Sequence, residues 1–252
     1  MAEDMRSADE LRLVDGLIAA GINDCEIARR TGIPRRTVCD WRRGRRPRFD
    51  KYRAVDIGGD PTIDPSGERA YAYLLGLYLG DGHITQMPRT YRLRITLDGL
   101  YAGIVRECKS AIETLLPNRV SICRTQSRAV VVNAYSNTWQ QLFPQHGAGP
   151  KHLRTIGLSP WQRRITQRCP EQLLRGLIHS DGNRHMNRIR HPSKTYAYPR
   201  YTFSNRSDDI RAIFCEHLDL LDIPWRRMNR WNISVARREA VARLDEFVGP
   251  KR

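Results

Sequence analysis

Asp81 and Asp181 each stand before a glycine at the close of an apolar stretch, YLLGLYLGDG over Tyr73 to Gly82 and LLRGLIHSDG over Leu173 to Gly182. The copies share Leu74/Leu174, Gly76/Gly176, Leu77/Leu177 and the closing Asp-Gly, so one motif occurs twice. Glycine after the last apolar residue suits the left-handed position that ends a helix, which puts both aspartates in a last helical turn. A carboxylate there meets the negative end of the helix dipole, unfavourable by about 0.3 to 1 kcal/mol, and two such ends side by side repel. A cation between them removes both penalties.

The elements that must hold this pair are the two stretches themselves. Gly76 and Gly80 in one, Gly176 and Ser180 in the other, are small residues four apart and form a flat strip on a helical face. Such strips let two helix backbones approach closely, so the copies are expected to pack against each other.

Both stretches resemble the LAGLIDADG motif of homing endonucleases, with Leu74, Gly76, Leu77, Asp81 and Gly82 matching in the first copy and Leu174, Gly176, Leu177, Ile178, Asp181 and Gly182 in the second. The resemblance covers roughly residues 68 to 249; Leu79 and His179 stand where the motif has its first aspartate. It implies an α+β fold of two pseudo-symmetric αββαββα halves, with the motif helices between them and a curved sheet from each half along the DNA major groove. Carried over, Asp81 and Asp181 are the catalytic residues and hold Mg2+ (or Mn2+), with the backbone carbonyls of Gly80 and Ser180 as further ligands. The ion activates water and stabilises the leaving oxygen on each strand of double-stranded DNA. Lysines near the cleft assist in that family, and Lys151 and Lys194 are the ones singled out here. No small-molecule ligand is expected, and a duplicated chain that reads both half-sites is expected to be a monomer.

Composition agrees with a polyanionic partner. The 252 residues carry 43 Lys plus Arg against 27 Asp plus Glu, a formal net charge of +16. Nearly all the basic residues are arginine, whose fork pairs with phosphates and guanine edges. No apolar run is long enough to span a membrane, and the opening MAEDMRSADE is unlike a signal peptide, so the expected location is cytoplasmic, with the nucleoid. Cys25, Cys39, Cys108, Cys123, Cys169 and Cys215 include no C-x-x-C pair, which argues against a disulfide framework or a zinc knuckle.

Residues 1–48 read as a small all-α helix-turn-helix domain. Ala8 to Ala20 has helical spacing, Asn23 can cap a second helix through Arg30, Gly32-Ile33-Pro34 turns, and a third helix runs to about Arg43. Ile27, Val38 and Trp41 are the expected core, and Arg35, Arg36, Thr37, Asp40 and Arg42 the expected DNA-facing side. Between Arg29 and Arg53 the only acidic residues are Asp40 and Asp50. Arg45, Arg46 and Arg48 continue the charge as an arm over phosphates or in the minor groove. Residues 49–68 read as a linker, 69–150 as the first half and 151–252 as the second.

Within each half the motif helix is followed by strands, a helix, a hairpin and a closing helix. The strands are expected at 83–87, 90–98, 119–126 and 129–136, then at 184–189, 198–205, 225–228 and 231–235. Alternate side chains would read DNA: Arg92 with Arg94, Arg124 with Gln126 and Arg128, then Arg188, Arg190 and Tyr201. His83, His179 and His185 near the motifs allow a histidine-dependent nuclease, but no paired histidine or Cys/His metal pattern accompanies them. A DNA-binding regulator that grips without cutting would use the same fold, and a splicing maturase shares it too. Retention of both aspartates favours the nuclease.

Overall fold

The computed structural model describes residues 8–45, 60–61, 63–116, 119–191, 194–249 and 251. The chain divides into two compact units, Met1–Arg53 and Ala54–Arg252.

In the first unit, apolar periodicity gives α1 (Ala8–Ala19), α2 (Asp24–Thr31) and α3 (Arg35–Arg42). Asn23 Oδ1 accepts from the Glu26 amide at 3.0 Å and caps α2. Gly32, at φ 70°, turns the chain into α3 through a conformation that costs glycine nothing. Val14, Ile27, Ile33, Val38 and Trp41 close the core, which includes the three residues expected.

The second unit is α+β with a doubled plan. Its first half runs α4 (Pro65–Asp81), β1 (Gly82–Gln86), β2 (Tyr91–Asp98), α5 (Ala102–Leu115), β3 (Ser121–Arg124), β4 (Ala129–Ser136) and α6 (Trp139–Leu142). A short 3-10 turn at Lys151–Leu153 and α7 (Pro160–Arg168) bridge to the second half. That half runs α8 (Pro170–Asp181), β5 (Gly182–His191), β6 (Lys194–Ser204), α9 (Asp208–Asp219), β7 (Arg226–Arg227), β8 (Asn232–Val235) and α10 (Arg238–Phe247). The strand orders β1-β2-β4-β3 and β5-β6-β8-β7 are the same antiparallel order repeated. The first motif helix begins inside the expected linker because Asp64 Oδ1 accepts from the Gly67 amide at 2.7 Å and Pro65 opens the first turn. α7 is a helix the sequence reading does not assign.

α4 is buried on every side from Tyr71 to Leu79 and lies against α8 at the centre of the unit. The small residues make that contact possible. A Cβ on Gly176 would lie 2.2 Å from the Tyr73 carbonyl oxygen, one on Gly76 2.5 Å from the Leu173 carbonyl oxygen, and one on Gly80 2.2 Å from Ser180 Oγ.

Gly82 and Gly182 do not take the expected left-handed conformation. Their φ angles of −87° and −99° are extended, because each helix passes directly into a strand. Glycine is required there for space: a Cβ would sit 2.4 Å from Tyr78 Cα or 2.6 Å from Ile178 Cα. Among the described residues, no helix is long and apolar enough to cross a membrane.

Candidate active site

The close pairing of α4 and α8 brings Asp81 and Asp181 together at the carboxyl ends of the two helices, each half-buried. They open onto different clefts. Asp81 lines one with Ser180, Tyr101, Asp98 and Lys251; Asp181 lines the other with Gly80, Lys151, His83, His146 and Asn205. Each cleft thus holds one half's aspartate and the residue preceding the other half's.

Burial and the neighbouring Asp181 charge push the Asp81 carboxyl up to about 6, with Lys151 and Lys251 opposing the shift. Asp181 is also pushed up by burial, against the hydrogen bond it accepts from Asn205 Nδ2 at 2.6 Å. Asn205 is itself fixed: its Oδ1 accepts from the Ser207 amide at 2.8 Å, and its carbonyl accepts from the buried Arg211 guanidinium. Gly82 pairs with Ile95 and Gly182 with Phe203, so two residues further on Asn205 corresponds to Leu97. The two aspartates therefore differ in polar support.

Two lysines occupy matching places. Lys151 Nζ donates to the carbonyls of Tyr78, Leu79 (3.1 Å) and Gly80 (3.0 Å), and Lys251 Nζ donates to the His179 carbonyl at 3.0 Å. Both compensate the negative helix ends. Burial pulls Lys151 down to about 8 against the attraction of both aspartates, and Lys251 is lowered for the same reason. Lys151 is one of the two lysines singled out from sequence; the side chain of Lys194 lies outside the described residues. Lys251 is missed, although Gly-Pro-Lys recurs at 149–151 and 249–251 with the offset of the motif itself.

Among the described residues no group of three or more His, Cys, Asp and Glu side chains is arranged to hold a metal ion. The donor set is two carboxylates and helix-end carbonyls, hard oxygens that fit Mg2+ rather than zinc. One expected ligand is shared, since the Gly80 carbonyl already accepts from Lys151. His179 offers no such chemistry: burial pulls it down to about 4, so it is neutral, with its Nδ1 hydrogen-bonded to the Tyr73 hydroxyl at 2.9 Å. His83 is exposed, with the His146 ring centroid 6.3 Å away.

The sheets sort the proposed DNA-reading residues by face, because residues paired across an antiparallel ladder point the same way. Leu93, Ile95 and Leu97 enter the core, leaving Arg92, Arg94 and Thr96 on the open side as expected. Arg124 pairs with Val130, itself opposite Leu97, so it lies on the core side of the sheet at its edge. Gln126 and Arg128 are in the turn, not the strand; the Thr125 amide bonds the Ala129 carbonyl at 3.0 Å, and Arg128 grips Asp98 at 2.8 and 2.7 Å.

Tyr201 is corrected outright. It is 2 % exposed, faces α10 and donates to Asp245 at 2.6 Å; Arg184, opposite it, pairs with the same carboxylate at 2.7 Å. Arg188 shares the register set of Arg184, and the side chain of Arg190 lies outside the described residues. The other face carries His185 opposite Arg200, and Thr202 opposite Ser234, which pairs with Arg226. Arg92 and Arg200 are equivalent, each three residues before the partner of the motif glycine, and in both the Nε is buried without a partner.

In the first unit, Arg35 and Arg36 are exposed on α3, Thr37 and Asp40 are half-exposed beside its buried Val38 and Trp41, and Arg45 is 3.6 Å from Asp40. Arg42 turns inward, donating to Asp24 at 2.7 Å and to the Ile22 carbonyl at 2.6 Å. Arg46 and Arg48 lie outside the described residues.

Residues 9–48 match the Homeodomain-like domain family. No curated protein matches the chain by sequence. Among solved structures it is similar to mesophilic variants of the homing endonuclease I-DmoI, at 14% identity over 73% of this chain and 97% of that one, TM-score 0.47. It is similar as well to the N-terminal LAGLIDADG domain of DUF199/WhiA, at 14% identity over 82% and 93%, TM-score 0.45. A third is the LAGLIDADG meganuclease I-AabMI bound to uncleaved DNA, at 12% identity over 70% and 82%, TM-score 0.46.

Proposed function

We propose that this chain is a metal-dependent, site-specific endonuclease of double-stranded DNA. The observation that carries the reading is the meeting of two half-buried carboxylates at two negative helix ends, each in a cleft with a lysine. Asp81 and Asp181 bind the ion, Asn205 orients Asp181, and Lys151 and Lys251 set the charge around the phosphate. Bound Mg2+ supplies Lewis acidity and an activated water there. The α3 arginines extend the recognised site, and Arg92, Arg94, Arg200 and Arg226 contact DNA from the open sheet faces.

A second reading, a regulator that holds DNA without cutting, also has an observation in its favour. Lys151 and Lys251 already bond carbonyls at both helix ends and offset part of the carboxylates' penalty, so the cluster can stand without a metal. Cleavage selection on randomised duplex DNA with Mg2+ or with chelator separates the two. A long two-part site cut only with Mg2+ supports the endonuclease; selective binding with no cut supports the regulator.

Two smaller outcomes follow. Arg200→Ala and Arg92→Ala each weaken binding to the selected site by about 1 to 3 kcal/mol in a gel-shift titration, whereas Tyr201→Phe leaves affinity unchanged. Because the metal-free Asp81 carboxyl sits at about 6, a proton competes with the ion below that pH. Apparent Mg2+ affinity, read by thermal shift, falls roughly tenfold per pH unit between pH 6 and 5 if one proton is displaced, and is flat above pH 7.

A further inference from the structure

Lys251 reaches the Asp81 cleft from the segment that follows α10, and one side chain of the second motif helix holds that segment down. Arg175 in α8 donates to the backbone carbonyls of Phe247 and Val248. It is fixed in turn by a two-point ion pair with Glu107 of α5, at 2.7 and 2.8 Å. One turn along α8, His179 Nε2 lies 3.4 Å from the Val248 carbonyl. Past this anchor Gly249, at φ 67°, turns the chain, and Lys251 Nζ lands on the His179 carbonyl.

Among the described residues the first half anchors the corresponding stretch differently, through the Tyr71 hydroxyl of α4, which donates to the Leu142 carbonyl at 2.6 Å, nine residues before Lys151. Leu75 stands where the second motif has Arg175, and Lys151 sits in the segment that continues into the 3-10 turn and α7. Lys151 is also held by three carbonyls, against the one that holds Lys251.

We infer that Arg175 is a positioning residue for Lys251 and serves one of the two clefts alone. Its role in cutting rests on the endonuclease reading; its hold on Lys251 does not. Replacing it frees Val248 and Gly249, takes the Lys251 ammonium away from the Asp81 cleft, and leaves the Asp181 cleft with Lys151 in place.

The test uses the full chain with Arg175→Leu, which copies the first motif, and Glu107→Gln as a milder variant. Brief acetylation of the metal-free protein with acetic anhydride, read by mass spectrometry, reports on each lysine. The expected result is a several-fold rise in labelling of Lys251 with Lys151 unchanged, larger for Arg175→Leu than for Glu107→Gln. On the selected duplex, end-labelled on each strand in turn, one strand is cut at least tenfold more slowly and the other at the wild-type rate. Unchanged labelling of Lys251, equal rises at both lysines, or equal slowing of both strands would overturn the inference. If the wild type cuts neither strand, the endonuclease reading fails, and the labelling still decides the hold on Lys251.

Discussion

Asp81→Asn is expected to raise the stability of the metal-free protein and, on the endonuclease proposal, to remove metal-dependent cleavage. The carboxyl is pushed from 3.8 to about 6 in the folded state, so that state binds more protons than the unfolded chain between those values. The sign follows: stability falls as pH rises from about 4 to 6, and above that range the folded state carries the full penalty of the charged form. At about 1.4 kcal/mol per pKa unit, the penalty is on the order of 1 to 3 kcal/mol. Asparagine keeps the shape and removes the charge. Thermal melts at pH 7.5 without divalent ions should therefore show the variant melting about 2 to 12 °C higher, at roughly 2 to 4 °C per kcal/mol for a unit of this size. On the endonuclease proposal the same substitution removes a charge that would hold the ion, and cleavage falls by about a thousandfold or more. An aspartate kept for structure alone would show the opposite sign, a lower melting point for the Asp81→Asn variant.

Gly176→Ala disrupts the centre of the second unit. An added Cβ would meet the Tyr73 carbonyl oxygen at 2.2 Å and Gly76 Cα at 3.0 Å, backbone on both sides. No side-chain rotation relieves that contact, so α4 and α8 must separate, which loosens the packing of the buried run from Tyr71 to Leu79. The expected cost is about 3 kcal/mol or more, a fall of roughly 6 to 12 °C in the melting of residues 54–252. Gly157→Ala is the control, since nothing lies within 4 Å of a Cβ there. Equal melting of the two variants would mean that the helices are not in backbone contact.

The doubled motif made the centre of the fold legible because its small residues and its aspartates are local signals that survive without tertiary knowledge. The same holds for the first unit, where Asn23 and Gly32 act on their immediate neighbours. Faces of strands were less legible. Alternation divides a strand into two faces without saying which one meets the core, which is how Tyr201 came to stand for a DNA contact while Arg200 beside it did not. Gln126 was lost to the turn because the ladder stops at Arg124, and Arg128 beyond it is tied to Asp98.

The aspartates were visible and their partners were not. Asn205 corresponds to Leu97 in the other half, so the repeat that exposes Asp181 hides the residue that orients it. Lys251 had a signal in the recurring Gly-Pro-Lys, but such a tripeptide reads as a turn until the fold brings it to the helix end. Gly82 and Gly182 were assigned the right residue type for the wrong reason: helix and strand join without a left-handed residue, and space alone demands glycine.

The most direct measurement is single-turnover cleavage of the selected duplex with Mg2+, followed on each strand, for the wild type, Asp81→Asn and Asp181→Asn. The two-carboxylate account predicts that the wild type cuts both strands, that chelator abolishes cutting, and that each variant binds the site but loses cleavage. Binding by the wild type with no cut in Mg2+ or Mn2+, or cleavage by either variant at the wild-type rate, would contradict it.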